Sequence, residues 1–180
     1  MNGSPQRPLL FLDVDGPLIP FGADARPYPT YKATASDVLA EPDENPLLSR
    51  INPAHGPRLA ALPCDVVWAT TWTTDANDCI APRIGLPPLN VVTWPDPSDH
   101  DELEESDRRN GLHWKTRPLV EWAAGRPFVW VDDEITDTDR AWVTAHHPAP
   151  ALLHRVDPRR GLTDDDYSAL DAWLRRLRTP

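Results

Sequence analysis

Five short apolar runs recur along the chain, each too brief to be a helix: LLFL (9–12), DVVWAT (65–70), LNVV (89–92), PFVWV (127–131) and ALLHRV (151–156). Runs this short and this rich in Val, Leu, Phe and Trp, with no alternation of polar residues, are expected of strands buried on both faces. Residues 56–62, 73–84, 116–125 and 136–146 between them read as helices. The alternation predicts an α/β domain whose central parallel sheet, of about five strands, is covered on both sides. The segment TDDDYSALDAWLRRLR (163–178) predicts the clearest helix. Thr163 and Asp166 form a capping-box pattern, Tyr167, Leu170, Trp173, Leu174 and Leu177 share one stripe, and acids precede arginines as the helix dipole favours.

Two stretches break the alternation. Residues 17–54 are rich in Pro, Asp and Asn and read as a small cap or flap inserted between the first strand and the first helix. Residues 95–111, PDPSDHDELEESDRRNG, carry acids at 96, 99, 101, 102, 104, 105 and 107 and are expected to form a solvated loop. The 180 residues suffice for a single domain with a sizeable core. A net charge of −10 disfavours long-range attraction to nucleic acid or an anionic membrane. No apolar stretch approaches the ~18 residues of a membrane span, and MNGSPQRPLLFLDVDG lacks the apolar region of a signal peptide. These features point to a cytoplasmic protein, in which Cys64 and Cys79 are expected to stay reduced.

In open parallel sheets, ligands bind beyond the carboxyl ends of the strands. Asp13 and Asp15 follow the first run, Thr70 and Thr71 close the second, and Asp132 and Asp133 follow the fourth. Four carboxylates brought together repel one another and call for a cation. Oxygen ligands suit Mg²⁺, and no His or Cys stands at a strand end with zinc spacing. A carboxylate can also be a nucleophile toward phosphorus, with neighbouring charges neutralised by a metal, a hydroxyl such as Thr70 and a cation. Lys115, at the start of a helical segment, is the first candidate for that cation, and Arg108, Arg109 and Arg117 compete with it.

The succession LLFLDVDG, VVWATT, WKT and FVWVDDE resembles the four motifs of the haloacid-dehalogenase (HAD) superfamily over roughly residues 8–137. The resemblance implies a Rossmannoid three-layer fold and a Mg²⁺-dependent phosphatase or phosphotransferase. It implies Asp13 as nucleophile, Asp15 as general acid/base, Thr70 as phosphoryl ligand and Lys115 as the bridge from phosphoryl oxygen to Asp13. Metal ligands would be Asp13, the Asp15 backbone carbonyl and the Asp132/Asp133 pair, with Asp133 the favoured direct ligand. Asp15 argues against dehalogenation, whose family members lack a second aspartate there. Pro17 departs from the Thr or Val common after Asp-x-Asp-Gly. Caps in this superfamily correlate with substrate size, and the 17–54 insertion is intermediate.

A narrower likeness lies in PAHGPRLAALPCDVVWATTWTTDAN, GLPPLNVVTWP and WKT. These resemble small HAD proteins of high-GC bacteria and HAD modules attached to RNA-repair proteins, which would imply removal of terminal phosphates from RNA. The acidic net charge favours a small phosphorylated molecule over nucleic acid as the partner. A HAD-fold protein that binds a phosphorylated ligand without turnover is the alternative of another class.

The remaining polar and aromatic residues have plainer expectations. His55 and His154 are expected to make structural hydrogen bonds. Thr136, Asp137 or Thr138 is expected to cap a helix, with Asp137 and Asp139 as alternative supports of the metal loop. Trp68, Trp94 and Trp130 fall at core positions, whereas Trp72 and Trp114 flank the inferred site, where either could stack on a ring-bearing substrate.

Overall fold

The computed structural model describes residues 6–23, 27–32, 45–95 and 102–177. Each apolar run contributes a strand: β1 (Leu9–Leu12), β2 (Asp65–Trp68), β3 (Asn90–Val91), β4 (Phe128–Asp132) and β5 (Ala151–Arg155). All pairings are parallel, and the order across the sheet is β3-β2-β1-β4-β5. The chain therefore winds outward from β1 in one direction and then returns to wind in the other. The switch point falls between β1 and β4, where an open α/β sheet places its ligand crevice.

The helices are α1 (His55–Ala61), α2 (Ala81–Ile84), α3 (Glu102–Arg109), α4 (Thr116–Ala123), α5 (Asp137–His146) and α6 (Asp164–Arg176). Alternate residues of β1 feed two cores. Leu10 and Leu12 join Leu59 of α1, Ile84 of α2 and Leu170 and Leu174 of α6 on one face. Leu9 and Phe11 join Leu119 of α4 and Val143 of α5 on the other. The result is the expected three-layer α/β fold. Trp68, Trp130, Phe11 and Phe128 are fully buried, each contributing roughly 1.5–3 kcal/mol of hydrophobic stabilisation.

Local differences from the sequence expectations have identifiable causes. β3 is shorter than 89–92 because the Asn77 side chain takes the place of a strand neighbour for Leu89. It accepts from the Leu89 amide at 2.8 Å and donates to the Leu89 carbonyl at 2.9 Å. The helical stretch 73–84 is divided, with a π-turn over Ala76–Ile80 before α2. The acidic run expected to be loop forms α3 over its described part. Its order, ELEESDRR, puts acids first and bases last along the dipole. Asp107 is further held by the Arg117 guanidinium of α4, whose Nη2 donates at 2.8 Å.

The described ends of the 17–54 segment are fastened to the core. Leu18 and Ile19 are buried, as are Leu48 and Ile51 around a 3₁₀ turn at Pro46–Arg50. Arg50 donates to the Pro20 carbonyl at 3.0 Å and lies over the Tyr28 ring. Residues 33–44, the middle of the expected flap, fall outside the described residues. No disulfide joins Cys64 and Cys79. Among the described residues, no helix is long and apolar enough to cross a membrane.

Candidate active site

β1 and β4 run side by side with Leu12 opposite Val131, so the residues after them emerge together. Asp13 is held there by its own amide, which donates to the Val131 carbonyl at 3.0 Å. The chain then folds back at once: the Leu18 and Ile19 amides both donate to the Val14 carbonyl at 3.0 Å, and Gly16 N–H donates to Ile19 O at 3.0 Å. Gly16 has φ +88°, and a Cβ there would lie 2.6 Å from Asp133 Oδ1. Glycine thus lets the turn after β1 touch the acid after β4. The loop after β5 locks the turn from outside, through Leu162 N–H to Pro17 O at 2.9 Å and Phe21 N–H to Pro158 O at 2.8 Å.

Asp13, Asp132 and Asp133 each offer a carboxylate oxygen, and these oxygens lie within 4.8 Å of one another. Lys115 Nζ stands between two of the acids, 3.0 Å from Asp13 Oδ2 and 2.8 Å from Asp132 Oδ2. All three of these groups are buried. Asp132 is committed on both oxygens: Oδ2 also accepts from the Trp130 indole at 3.2 Å, and Oδ1 accepts from the Glu134 amide at 2.9 Å.

The charges are out of balance. Burial raises the Asp13 pKa, Lys115 pulls it back and Asp132 pushes it up again, leaving it above the carboxylate range. Asp133 is pushed up to about 6 by burial and by the Asp132 charge. Burial alone would lower the Lys115 pKa, but the two carboxylates beside it outweigh that and hold it above the ordinary lysine value. One ammonium among three carboxylates leaves excess negative charge, and a divalent cation would relieve it. The all-oxygen donor set fits Mg²⁺.

Thr70 is fully buried just beyond β2, its hydroxyl accepting from the Trp72 amide at 3.3 Å and its carbonyl from the Trp94 indole at 2.9 Å. Thr73, two residues after Thr71, has φ +48°, an uncommon conformation for a β-branched residue. The Asp15 side chain is separate from the three-acid cluster, and its Oδ2 accepts from the Trp72 indole at 3.0 Å. Of the competing cations, Arg117 is engaged with Asp107, and Arg109 donates to the Glu105 carbonyl at 3.3 Å.

The structural expectations for the histidines hold. His55 Nδ1 lies 2.9 Å from the Tyr167 hydroxyl, and His154 Nε2 lies 2.8 Å from Asp166. Thr136 caps α5 in a reciprocal box with Asp139.

Asp139, named from sequence only as an alternative support of the metal loop, does more than cap, and its ties to the Lys115 segment had no sequence signal. It is fully buried, with Oδ2 accepting from the Thr136 amide at 2.8 Å and hydroxyl at 2.7 Å. Its Oδ1 accepts from the His113 amide at 2.8 Å and the Thr116 hydroxyl at 2.7 Å. The residues on either side of the Lys115 segment are thereby tied to α5. Burial would raise the Asp139 pKa, but the Thr116 and Thr136 hydroxyls and the His113 and Thr136 amides together bring it below the ordinary value. His113 was missed from sequence. Its Nδ1 accepts from the Lys115 amide at 3.2 Å and its Nε2 faces Glu134 at 3.1 Å, an arrangement that puts the ring proton on Nε2. The only sequence signal for either was the capping-box spacing of Thr136 and Asp139.

Neither a search of curated proteins nor one of solved structures gave a match. A family described as the HAD domain in Swiss Army Knife RNA repair proteins matches residues 9–167, from the start of β1 into α6. With the sheet order and the acids at its switch point agreeing, the chain belongs to that family of the HAD superfamily.

Proposed function

We propose that the protein is a Mg²⁺-dependent phosphatase that hydrolyses phosphate monoesters through an aspartyl-phosphate on Asp13. The carrying observation is Lys115 Nζ, buried between Asp13 and Asp132, with Asp133 completing an oxygen cluster at the switch point of the sheet. Asp13, Asp133 and the Asp15 carbonyl would hold the metal, with Asp132 orienting it. When bound, Mg²⁺ supplies positive charge to the phosphoryl oxygens and offsets the crowded acids.

The chain's own residues account for the rest of the reaction. A carboxylate oxygen of Asp13 attacks phosphorus as the ester P–O bond breaks, and Asp15 gives its proton to the departing oxygen. Asp15 then takes a proton from water, whose oxygen attacks the same phosphorus and releases inorganic phosphate and free Asp13. One water is consumed per ester cleaved. Trp72, through its indole N–H, orients Asp15 for both transfers. Lys115 and the Thr70 hydroxyl hold phosphoryl oxygens, with Lys115 kept cationic by its neighbours.

Hydrolysis of p-nitrophenyl phosphate with Mg²⁺ or with EDTA tests the reading. Turnover is expected with metal, and Asp13→Asn should lower it by about 10⁴-fold. Beryllium fluoride, which mimics an aspartyl-phosphate, should raise Tm with Mg²⁺ present. No turnover together with no such shift would overturn the proposal and leave a HAD-fold binding protein.

A second reading stays within this chemistry. The family match to a domain of RNA repair proteins favours a nucleic-acid end as the ester. Oligonucleotides bearing 3′- or 5′-phosphates, compared with small phosphate esters, separate the two.

A further inference from the structure

Trp114 stands out on the rim of the site. It is 49% exposed, one of two large apolar side chains this open among the described residues. Leaving an indole in water forgoes hydrophobic stabilisation, yet the neighbouring contacts hold this ring in place. Trp94 meets it edge-on, with ring centres 4.8 Å apart and planes at 71°. Trp94 is itself anchored to the site by its indole N–H, which donates to the Thr70 carbonyl at 2.9 Å. His113 tilts against Trp114 at 5.6 Å, and the His113 amide is fixed by Asp139.

Its place relative to the reacting groups gives this exposure a use. Lys115 Nζ lies 5.6 Å from the centre of the Trp114 ring and 3.0 Å from Asp13 Oδ2. The ring is therefore one ammonium away from the nucleophile. A phosphate seated on Lys115 would place the group it esterifies beside the indole. In a nucleotide, one sugar separates phosphate from base, a span comparable to that between Lys115 Nζ and the ring. Aromatic side chains stack on any base, and each such contact is worth about tenfold or more in affinity.

Resting on the phosphatase reading above, we propose that Trp114 is the specificity-determining residue of this site and stacks on the nucleobase next to the scissile phosphate. The substrate class is then a phosphomonoester of a nucleoside, carried by a free nucleotide or by the end of a strand. Trp94 and His113 are positioning residues that keep the indole in one orientation, so that little ordering is needed when the base arrives.

The test compares esters that differ only in the base. Wild-type, Trp114→Phe and Trp114→Ala proteins are assayed on a nucleoside 5′-monophosphate and on ribose 5-phosphate, and on phosphorylated oligonucleotides whose terminal residue is either normal or abasic. In the wild type, kcat/KM should favour the base-bearing ester of each pair. That preference should fall about tenfold or more in Trp114→Ala and be largely kept in Trp114→Phe. The better base-bearing substrate identifies the source, strand end or free nucleotide. A preference that is absent in the wild type, or the same in wild type and Trp114→Ala, overturns the assignment. Should the wild type turn over none of the esters, that failure bears on the phosphatase reading and not on Trp114. Calorimetric affinities of the same pairs on the same proteins then decide the role of Trp114 by the same ratio.

Discussion

Asp132 and Asp139 lie seven residues apart, and both are wholly buried. Asp132 shares its surroundings with Asp13 and Asp133, and one lysine serves two of the three acids. Asp139 meets two amides and two hydroxyls and has a depressed pKa. Burial disfavours ionisation of Asp139, and equally of Asp13 and Asp133 in the cluster, and the neighbours decide the outcome. Donors alone surround Asp139 and make it a structural tie. Asp132 also accepts from Lys115, the Trp130 indole and the Glu134 amide, but the two carboxylates beside it leave excess negative charge that a cation would offset. Asp166 repeats the Asp139 arrangement at the start of α6, accepting from Thr163 and facing His154.

The comparison can be broken most severely at Asp139. Asp139→Ala strands four donors in the interior and should cost about 3–5 kcal/mol, read as a fall in Tm and in the denaturant midpoint. It should also slacken the Lys115 segment and depress turnover in molecules that remain folded. Asp139→Asn keeps the shape and should cost less. An Asp139→Ala protein that melted with the wild type would show that the tie does not stabilise the fold.

A change of opposite sign is expected at Asp133. Its folded pKa of about 6 lies above the ordinary 3.8, so the folded protein holds its proton more tightly than the unfolded chain. The site contributes least to stability when that proton is gone, and stability from this group falls as pH rises from about 4 to 6. At pH 8 without metal, Asp133→Asn should therefore melt a few degrees higher than wild type. Adding Mg²⁺ should reverse the ranking, because only the wild type recovers its full ligand set. Asp139 and Asp166 have the other sign: their contribution is present above the ordinary carboxylate pKa and lost as pH falls through their lowered values.

The smallest effect sharpens the contrast at the backbone. Thr73 is left-handed at the edge of the site, and Ala124 is left-handed where α4 ends, away from it, both at φ +48°. Glycine at either position should add roughly 0.5–1 kcal/mol, the relief of the Cβ conflict being partly offset by chain entropy. At Ala124 turnover should not change. At Thr73 it should drop, since the turn that seats Thr70 becomes looser. Equal activity in both variants would mean that the Thr73 conformation does not serve the site.

Asp13, Asp132 and Asp133 could be brought together from sequence because a parallel sheet leaves few places for acids at strand ends to go, and Lys115, at the start of α4, was the first of four candidate cations. Their geometry follows from the register of β1 on β4. Thr136 was legible as a cap, since capping is local. The second pair of hydrogen bonds to Asp139 was not, because it joins residues 26 and 23 apart along the chain. α3 was missed for a related reason: an acidic run without an apolar stripe resembles a solvated loop until Arg117 on the next helix takes Asp107. The shortening of β3 also needed a partner distant in sequence, Asn77, whose side chain imitates backbone.

The near-contact of Gly16 with Asp133 has a consequence for how the molecule comes into being. During synthesis the turn after β1 emerges long before β4, and until β4 docks, one edge of β1 lacks its neighbour. Asp13 then has neither Lys115 nor Asp132 beside it. Pairing so distant in sequence is slow to form, so the acid cluster assembles only when the two halves of the sheet close on β1. Under the proposed function, metal affinity at this cluster would be a readout of complete folding, acquired in the same step that brings β4 onto β1.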